Sequence, residues 1–182
     1  MKRIFISDLH LDQNQTILRD ALKQFLETHC SDADELYILG DLFEAWIGDD
    51  DPREHSRTIV DMLRSVTCKL FIMHGNRDFL IGDRFCQETG AELLEDPSLI
   101  SIGNENVLLS HGDAFCTLDQ SYQKLRLILR SKEFQRDFLQ KELREREFIS
   151  KQMRGESRKH TGNVAEEIMD VTPSEVLNTM ER

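Results

Sequence analysis

Four short motifs hold the residues of this chain best suited to chemistry: Asp8-Leu9-His10, Gly40-Asp41, Gly75-Asn76-Arg77-Asp78 and Ser110-His111-Gly112-Asp113. A mixed set of carboxylate, imidazole and amide ligands suits Mn, Fe or Zn better than a pure oxygen cage would. Asp8 and His10 are two apart, so in extended chain both point to the same side. Two divalent ions held by Asp8, Asp41 and the neutral Asn76, His10 and His111 would keep a surplus of positive charge. That surplus would acidify a bridging water and hold an anionic phosphate. Each motif alone is a weak sign, because Asp-x-His and Gly-Asp are common at strand ends and Gly-Asn-Arg-Asp can be a salt-bridged turn. Their joint placement carries the case.

Each motif directly follows a predicted strand: 2–7, then Leu36-Leu39, Leu70-Met73 and Val107-Leu109. The carboxyl ends of strands in an open α/β sheet converge on one crevice, where ligands bind. Glycines 40, 75 and 112 allow tight turns and close backbone approach there. Between the strands, Ile17, Leu18, Ala21, Leu22, Phe25 and Leu26 predict an amphipathic helix over 15–28. Ile59 to Leu63 mark a second helix, and a short one around 79–89 stops at Gly90. Strands alternating with helices argue for an α/β fold with a largely parallel sheet. From about 120 to 155 the pattern changes to charge-rich helix, with Leu125, Ile128, Leu129, Phe134, Phe138, Leu139 and Leu143 as packing stripes. Thr172-Pro173-Ser174-Glu175 predicts a helix start with an N-cap, Pro at N1 and a capping-box glutamate.

The composition is that of a globular domain, with 39% apolar and 31% charged residues. No apolar run approaches a bilayer span, and an acid at position 8 argues against a signal peptide. Four scattered cysteines read as buried or half-buried free thiols in a reducing cytoplasm. The net charge of −11 is uneven: Lys124 to Lys159 holds twelve Lys/Arg against six Asp/Glu. One basic segment on an acidic body suggests a local anionic partner and no general affinity for nucleic acid. Helix surface pairing is the plainer account of the same charges. His29 and His55 read as exposed, His74 as a hydrogen-bonded strand-end histidine, Trp46 as a packing residue, and Asp49-Asp50-Asp51 as a solvated turn closed by Pro52.

The order of the motifs resembles the calcineurin-like metallophosphoesterase superfamily, whose pattern runs D-x-H, G-D, G-N-[HR]-[DE], H-G and G-H-x-H. Tyr37 to Asp50 (YILGDLFEAWIGDD), His74 to Leu80, Ser110 to Asp113 with Cys116, Thr117 and Asp119, and Ile168 to Val171 are similar to its UDP-2,3-diacylglucosamine hydrolase family. The resemblance implies an αββα sandwich with a helical cap insertion: core 1–119, cap 120–163, and a return segment with a final core helix at 164–182. It implies two Mn2+ or similar ions, with Asp8 and His10 on the first, Asp41 bridging, and Asn76 and His111 on the second. Asn76, Arg77, Asp119 and Ser157 would contact substrate, and a hydroxide between the metals, not a side chain, would be the nucleophile. The implied reaction splits the pyrophosphate of UDP-2,3-diacylglucosamine at the cytoplasmic face of the inner membrane, in lipid A biosynthesis. The chain departs from the family at Thr161 and Val164, where an asparagine and a lysine are usual, and lacks the G-H-x-H motif. Lys159-His160-Thr161-Gly162 lacks the second histidine. The expectation is therefore a chain one element short, with each metal missing a histidine. A phosphoesterase of another substrate and a non-catalytic metal-binding fragment are the rival readings.

Overall fold

The computed structural model describes residues 1–181. Two compact units make up the chain, Met1–His111 and Gly112–Arg182.

The first unit is built on a parallel sheet of β1 (Arg3–Ile6), β2 (Glu35–Ile38), β3 (Lys69–Met73) and β4 (Glu92–Leu94), in that order. Helices α1 (Thr16–His29), α2 (Glu54–Arg64) and α3 (Asp83–Thr89) make the connections. In α2 the buried positions are Ser56, Ile59, Val60 and Leu63, a helical stripe of one face. Its β-branched residues cost a few tenths of a kcal/mol each in propensity, whereas each buried aliphatic side chain contributes about 1.5–3 kcal/mol. Burial decides the helix. In α1 only Leu22 and Leu26 are buried and Ile17 is 86% exposed, so the predicted stripe is half used.

β2 is buried along its whole length. Phe5, Tyr37 and Phe71 are register partners on three adjacent strands, and their rings stack at 4.8 and 4.6 Å. The fourth motif does not follow a strand of this sheet. It follows β6 (Glu105–Leu109), which pairs antiparallel with β5 (Ser98–Ile102) in a separate hairpin. Leu109, Ile100 and Val107 of the hairpin pack with Tyr37, Met73, Phe71 and Leu94 of the parallel sheet. This apolar layer holds the hairpin against the sheet and brings its end beside the ends of β2 and β3.

Three further expectations differ from the structure of this unit. The 49–51 turn is only partly solvated: Asp50 is exposed, but Asp51 is buried, taking hydrogen bonds from Arg53 and from Ser56 Oγ at 2.6 Å. Asp49 accepts from the backbone N–H groups of Gly82 and Phe85 and so caps α3, which starts at 83 and not 79. His55 is half-buried beside Ser56 Oγ, while His74 Nε2 meets the Ile81 carbonyl at 2.7 Å as a strand-end histidine would. Cys30 is buried and the other three thiols are half-buried.

The second unit opens with a 3-10 turn (Asp113–Phe115) and continues as α4 (Gln120–Leu129), α5 (Lys132–Leu139), α6 (Leu143–Asn163), α7 (Glu166–Met169) and α8 (Pro173–Met180). The basic stretch is three helices, with Asp119 and Ser131 capping the first two. Leu129 and Phe138 are buried, but Leu125, Ile128 and Leu139 are exposed and do not pack as predicted. Asp113 is the hub: its Oδ2 accepts from Tyr122 Oη at 2.7 Å, Arg126 Nε at 2.9 Å and Arg130 Nη2 at 3.2 Å. Part of the local positive charge is thus consumed inside the unit. The capping box of α8 does not form: Thr172 Oγ1 makes no cap hydrogen bond and accepts from Thr117 Oγ1 at 2.9 Å. Among the described residues, no helix is long and apolar enough to cross a membrane.

Candidate metal centre

The loops after β1 and β2 continue the strand pairing as a ladder. Asp8 N donates to Gly40 O, His10 N to Asp41 O, Leu11 N to Leu42 O and Glu44 N to Leu11 O, all at 2.9–3.1 Å. The chain at 8–10 is not extended, contrary to the sequence reading. Asp8, His10 and Asp41 all have positive φ, at 57°, 49° and 53°. Left-handed backbone at a non-glycine costs about 1–2 kcal/mol per residue, and here the ladder and the burial behind it hold three such residues side by side. The twist, not a strand's alternation, turns these side chains to one place. Asp8, His10 and Asp41 each offer an atom within 4.8 Å of the others.

Gly40 and Gly75 let the second and third loops touch. A Cβ on Gly40 would sit 2.7 Å from the Gly75 backbone and from His111 Nδ1, and one on Gly75 would sit 2.1 Å from Asp41 Oδ1. Asp78, fully buried, clamps both loops by accepting from Gly75 N (2.8 Å), Leu42 N (2.8 Å) and Asp41 N (3.3 Å). Arg77 N donates to Asp41 Oδ1 at 2.8 Å. Asn76 is half-buried between two residues whose amides are tied in this way. On the fourth loop, Asp96 Oδ1 accepts from Ser110 Oγ at 2.6 Å and from His111 N at 3.3 Å.

His111 Nδ1 donates to the Leu39 carbonyl at 3.0 Å, which leaves the Nε2 lone pair facing Asp41 Oδ1 at 3.8 Å. His10 Nε2 faces Asp41 Oδ2 at 3.6 Å and Asp8 Oδ1 at 4.0 Å. These separations are too long for hydrogen bonds. Ligands of one cation at about 2.0–2.2 Å each lie roughly 3–3.5 Å apart, so closing by a few tenths of an ångström would suit a shared ion. Burial pushes the Asp41 carboxyl above its ordinary pKa, opposed by His111, the Arg77 N–H and His10. Asp78 is raised first by burial and then by the Asp41 charge. The two adjacent buried carboxylates are only partly offset by N–H groups, the imidazole rings and Arg77, an arrangement that suits a bound cation. The donor set fits divalent metal.

In the second unit, Asp119 is buried and its carboxylate is well occupied. Oδ1 accepts from Tyr122 N (2.9 Å) and Ser121 Oγ (3.1 Å), and Oδ2 meets His160 Nε2 at 2.7 Å. The histidine of Lys159-His160-Thr161-Gly162 is therefore a partner of Asp119. Ser157 is half-buried on α6, its carbonyl accepting from Thr161 Oγ1. Sequence reasoning missed Glu44, whose Oε2 is 3.2 Å from His10 Nδ1, and the clamp formed by Asp78. An acid three residues after Asp41, on the loop that pairs with His10's, was the available signal for the first.

The calcineurin-like phosphoesterase family matches residues 1–170, and the chain belongs to it. Membership makes it a metal-dependent hydrolase. Among its relatives, UDP-2,3-diacylglucosamine hydrolase of Aeromonas salmonicida is 46% identical over 97% of this chain and 70% of that protein. The proteins of that name from Ectopseudomonas mendocina and Pseudomonas aeruginosa are 44% and 45% identical, covering 97% and 99% of this chain and 74% and 76% of theirs. A solved structure from Aquifex aeolicus is similar at TM-score 0.44 and 19% identity, covering 72% of this chain and 73% of that one.

Proposed function

We propose that this chain hydrolyses the pyrophosphate bond of UDP-2,3-diacylglucosamine, giving UMP and 2,3-diacylglucosamine 1-phosphate for lipid A biosynthesis. The observation that carries the reading is 46% identity across 97% of the chain to a hydrolase of that name, with the Asp8, His10 and Asp41 cluster intact. In this reading Asp8 and His10 would hold one Mn2+, Asn76 and His111 would hold a second, and Asp41 would serve both. Bound divalent ions supply acidified water and neutralise charge on the phosphoryl oxygens.

The chain's own residues do the positioning. Leu39 O fixes the His111 ring, Arg77 N fixes one Asp41 oxygen, and Asp78 holds both loops. The Arg77 guanidinium and Asn76 would meet the diphosphate. Asp119 and Ser157 would meet the rest of the substrate, with Asp119 offering Oδ2 beside His160. No cysteine competes as nucleophile, since burial raises all four thiols, Cys30 to about 11. The exposed Leu127, Ile128 and Phe148 and the basic residues of 124–159 would suit two acyl chains and an anionic surface, which supports a reading in which the enzyme works at the cytoplasmic face of the inner membrane.

The test is release of UMP from UDP-2,3-diacylglucosamine with Mn2+ and after chelation, beside a small chromogenic phosphodiester. Metal-dependent turnover of the lipid-linked nucleotide is expected. Turnover of the small diester alone would point to another phosphoesterase, and metal uptake without turnover of either to a binding role.

A further inference from the structure

We infer that Glu44 is a positioning residue of the metal centre, fixing the His10 ring through Nδ1 and setting how tightly the Asp8/His10 side holds a cation. The inference rests on the two-ion reading above. Glu44 Oε2 lies 3.2 Å from His10 Nδ1, and the glutamate side chain is only 15% exposed. A carboxylate accepts and cannot donate, so the proton of a neutral His10 ring belongs on Nδ1 and the lone pair on Nε2, the atom turned to Asp8 and Asp41.

The contact is built into the backbone. Glu44 N donates to Leu11 O at 3.0 Å, next to His10, and Leu11 bridges to Phe43. Phe43 is 1% exposed and packs on Trp46 at 4.5 Å. The carboxylate therefore moves with the ladder that carries His10. At 3.2 Å the pair is an electrostatic contact, since buried Nδ1 does not reach good hydrogen-bond geometry with any partner. His111 Nδ1 is fixed differently, by the neutral carbonyl of Leu39. A carboxylate partner makes an imidazole a stronger donor to metal than a carbonyl does. The two sides of the centre are thereby unequal.

The experiment uses the full chain with Glu44→Ala and Glu44→Gln, first stripped of metal by chelation. Nitrogen NMR of the ring reads the tautomer of His10: Nδ1–H is expected in the unaltered chain, and a shift toward Nε2–H in E44A. Titration with Mn2+ alone, followed by paramagnetic resonance, then reads the ions. E44A should weaken one of two Mn2+ by about 10–100-fold and leave the other within a few-fold. E44Q, which keeps an acceptor and loses the charge, should fall between. An unchanged tautomer with an unchanged isotherm overturns the inference, and so does equal weakening of both ions, the mark of a merely structural role. Thermal melts check folding, and E44Q decides alone where E44A does not fold. If the unaltered chain takes up no Mn2+, the two-ion reading fails, while the metal-free tautomer still decides whether Glu44 sets His10.

Discussion

Asp41 is held at its backbone, at one carboxylate oxygen and at its neighbouring loop before any cation arrives. Its N–H goes to Asp78, its Oδ1 takes Arg77 N, and Gly75 leaves no room for a side chain beside it. Gly75→Ala would place a Cβ 2.1 Å from Asp41 Oδ1, so either the carboxylate or the third loop must give way. The expected cost is about 1–3 kcal/mol of stability from overpacking and about 100-fold in turnover for a displacement near 1 Å. Melting curves and kcat on the same preparation check both, and a fully active G75A would remove the close-packed account of the site. Asp8, His10, Asp41 and His111 could be picked out as candidates because their types are rare together and each lies just past a strand. The roles of Asp78 and Glu44 could not, although both residues lie in the quoted motifs, because the sequence does not show that a carboxylate clamps other residues' N–H groups or meets a ring nitrogen. The left-handed backbone at positions 8, 10 and 41 was equally hidden, since local preference opposes it and only the assembled loops enforce it.

At the scale of elements, length and amphipathicity decided what could be read. The strands at 3–6, 35–38 and 69–73 and helices α1 and α2 follow strong apolar patterns. β4 has three residues and lies at the edge, too short to show alternation. The β5–β6 hairpin did leave a sign: Gly103-Asn104 between Ile102 and Glu105 is a two-residue turn. Alternating burial along Ser98–Ile102 matches it. In the helical segment the decisive interaction is Asp113 with Tyr122, Arg126 and Arg130. Burial would raise the Asp113 carboxyl, but the Arg126 hydrogen bond and the Arg130 charge prevail and hold it below the ordinary carboxylate value. Its contribution is present above the unfolded-state value of about 3.9 and is lost as pH falls through the lower folded value. Asp113→Asn should destabilise the chain by about 3 kcal/mol at pH 7, with the gap to the unaltered protein closing in acid. Urea melts at several pH values measure this, and a gap that stays constant down to low pH would contradict the ion-pair account.

For the whole molecule, charge and exposed apolar surface bear on substrate choice. Lys132, Arg144 and Lys159 are exposed, so reversing them leaves the Asp113 hub untouched. If they face an anionic lipid-linked diphosphate, each reversal should raise KM for UDP-2,3-diacylglucosamine by about fivefold, the worth of roughly 1 kcal/mol per basic residue at an anionic surface. KM for a small chromogenic phosphodiester should stay nearly constant. Equal shifts for both substrates would mean that these residues act through the general field alone.

The chain's one tryptophan, Trp46, is 3% exposed, wedged between Phe43 and Phe85 with Nε1 on Asp49 and its backbone N–H on the Arg77 carbonyl. It is an optical reporter already installed in residues 1–111, and the loops beside it carry the candidate metal ligands. Most helical residues belong to 112–181, so ellipticity in the far ultraviolet watches mainly the other unit. Following both signals in one melt asks whether the units lose structure together or in turn. Mn2+ at about 100 times its dissociation constant should add roughly 2.7 kcal/mol to whatever unfolds with the site. The emission midpoint should therefore rise by several degrees and fall back on chelation. If ellipticity rises in step, the two units melt as one; if it lags, the colour of a single indole separates them.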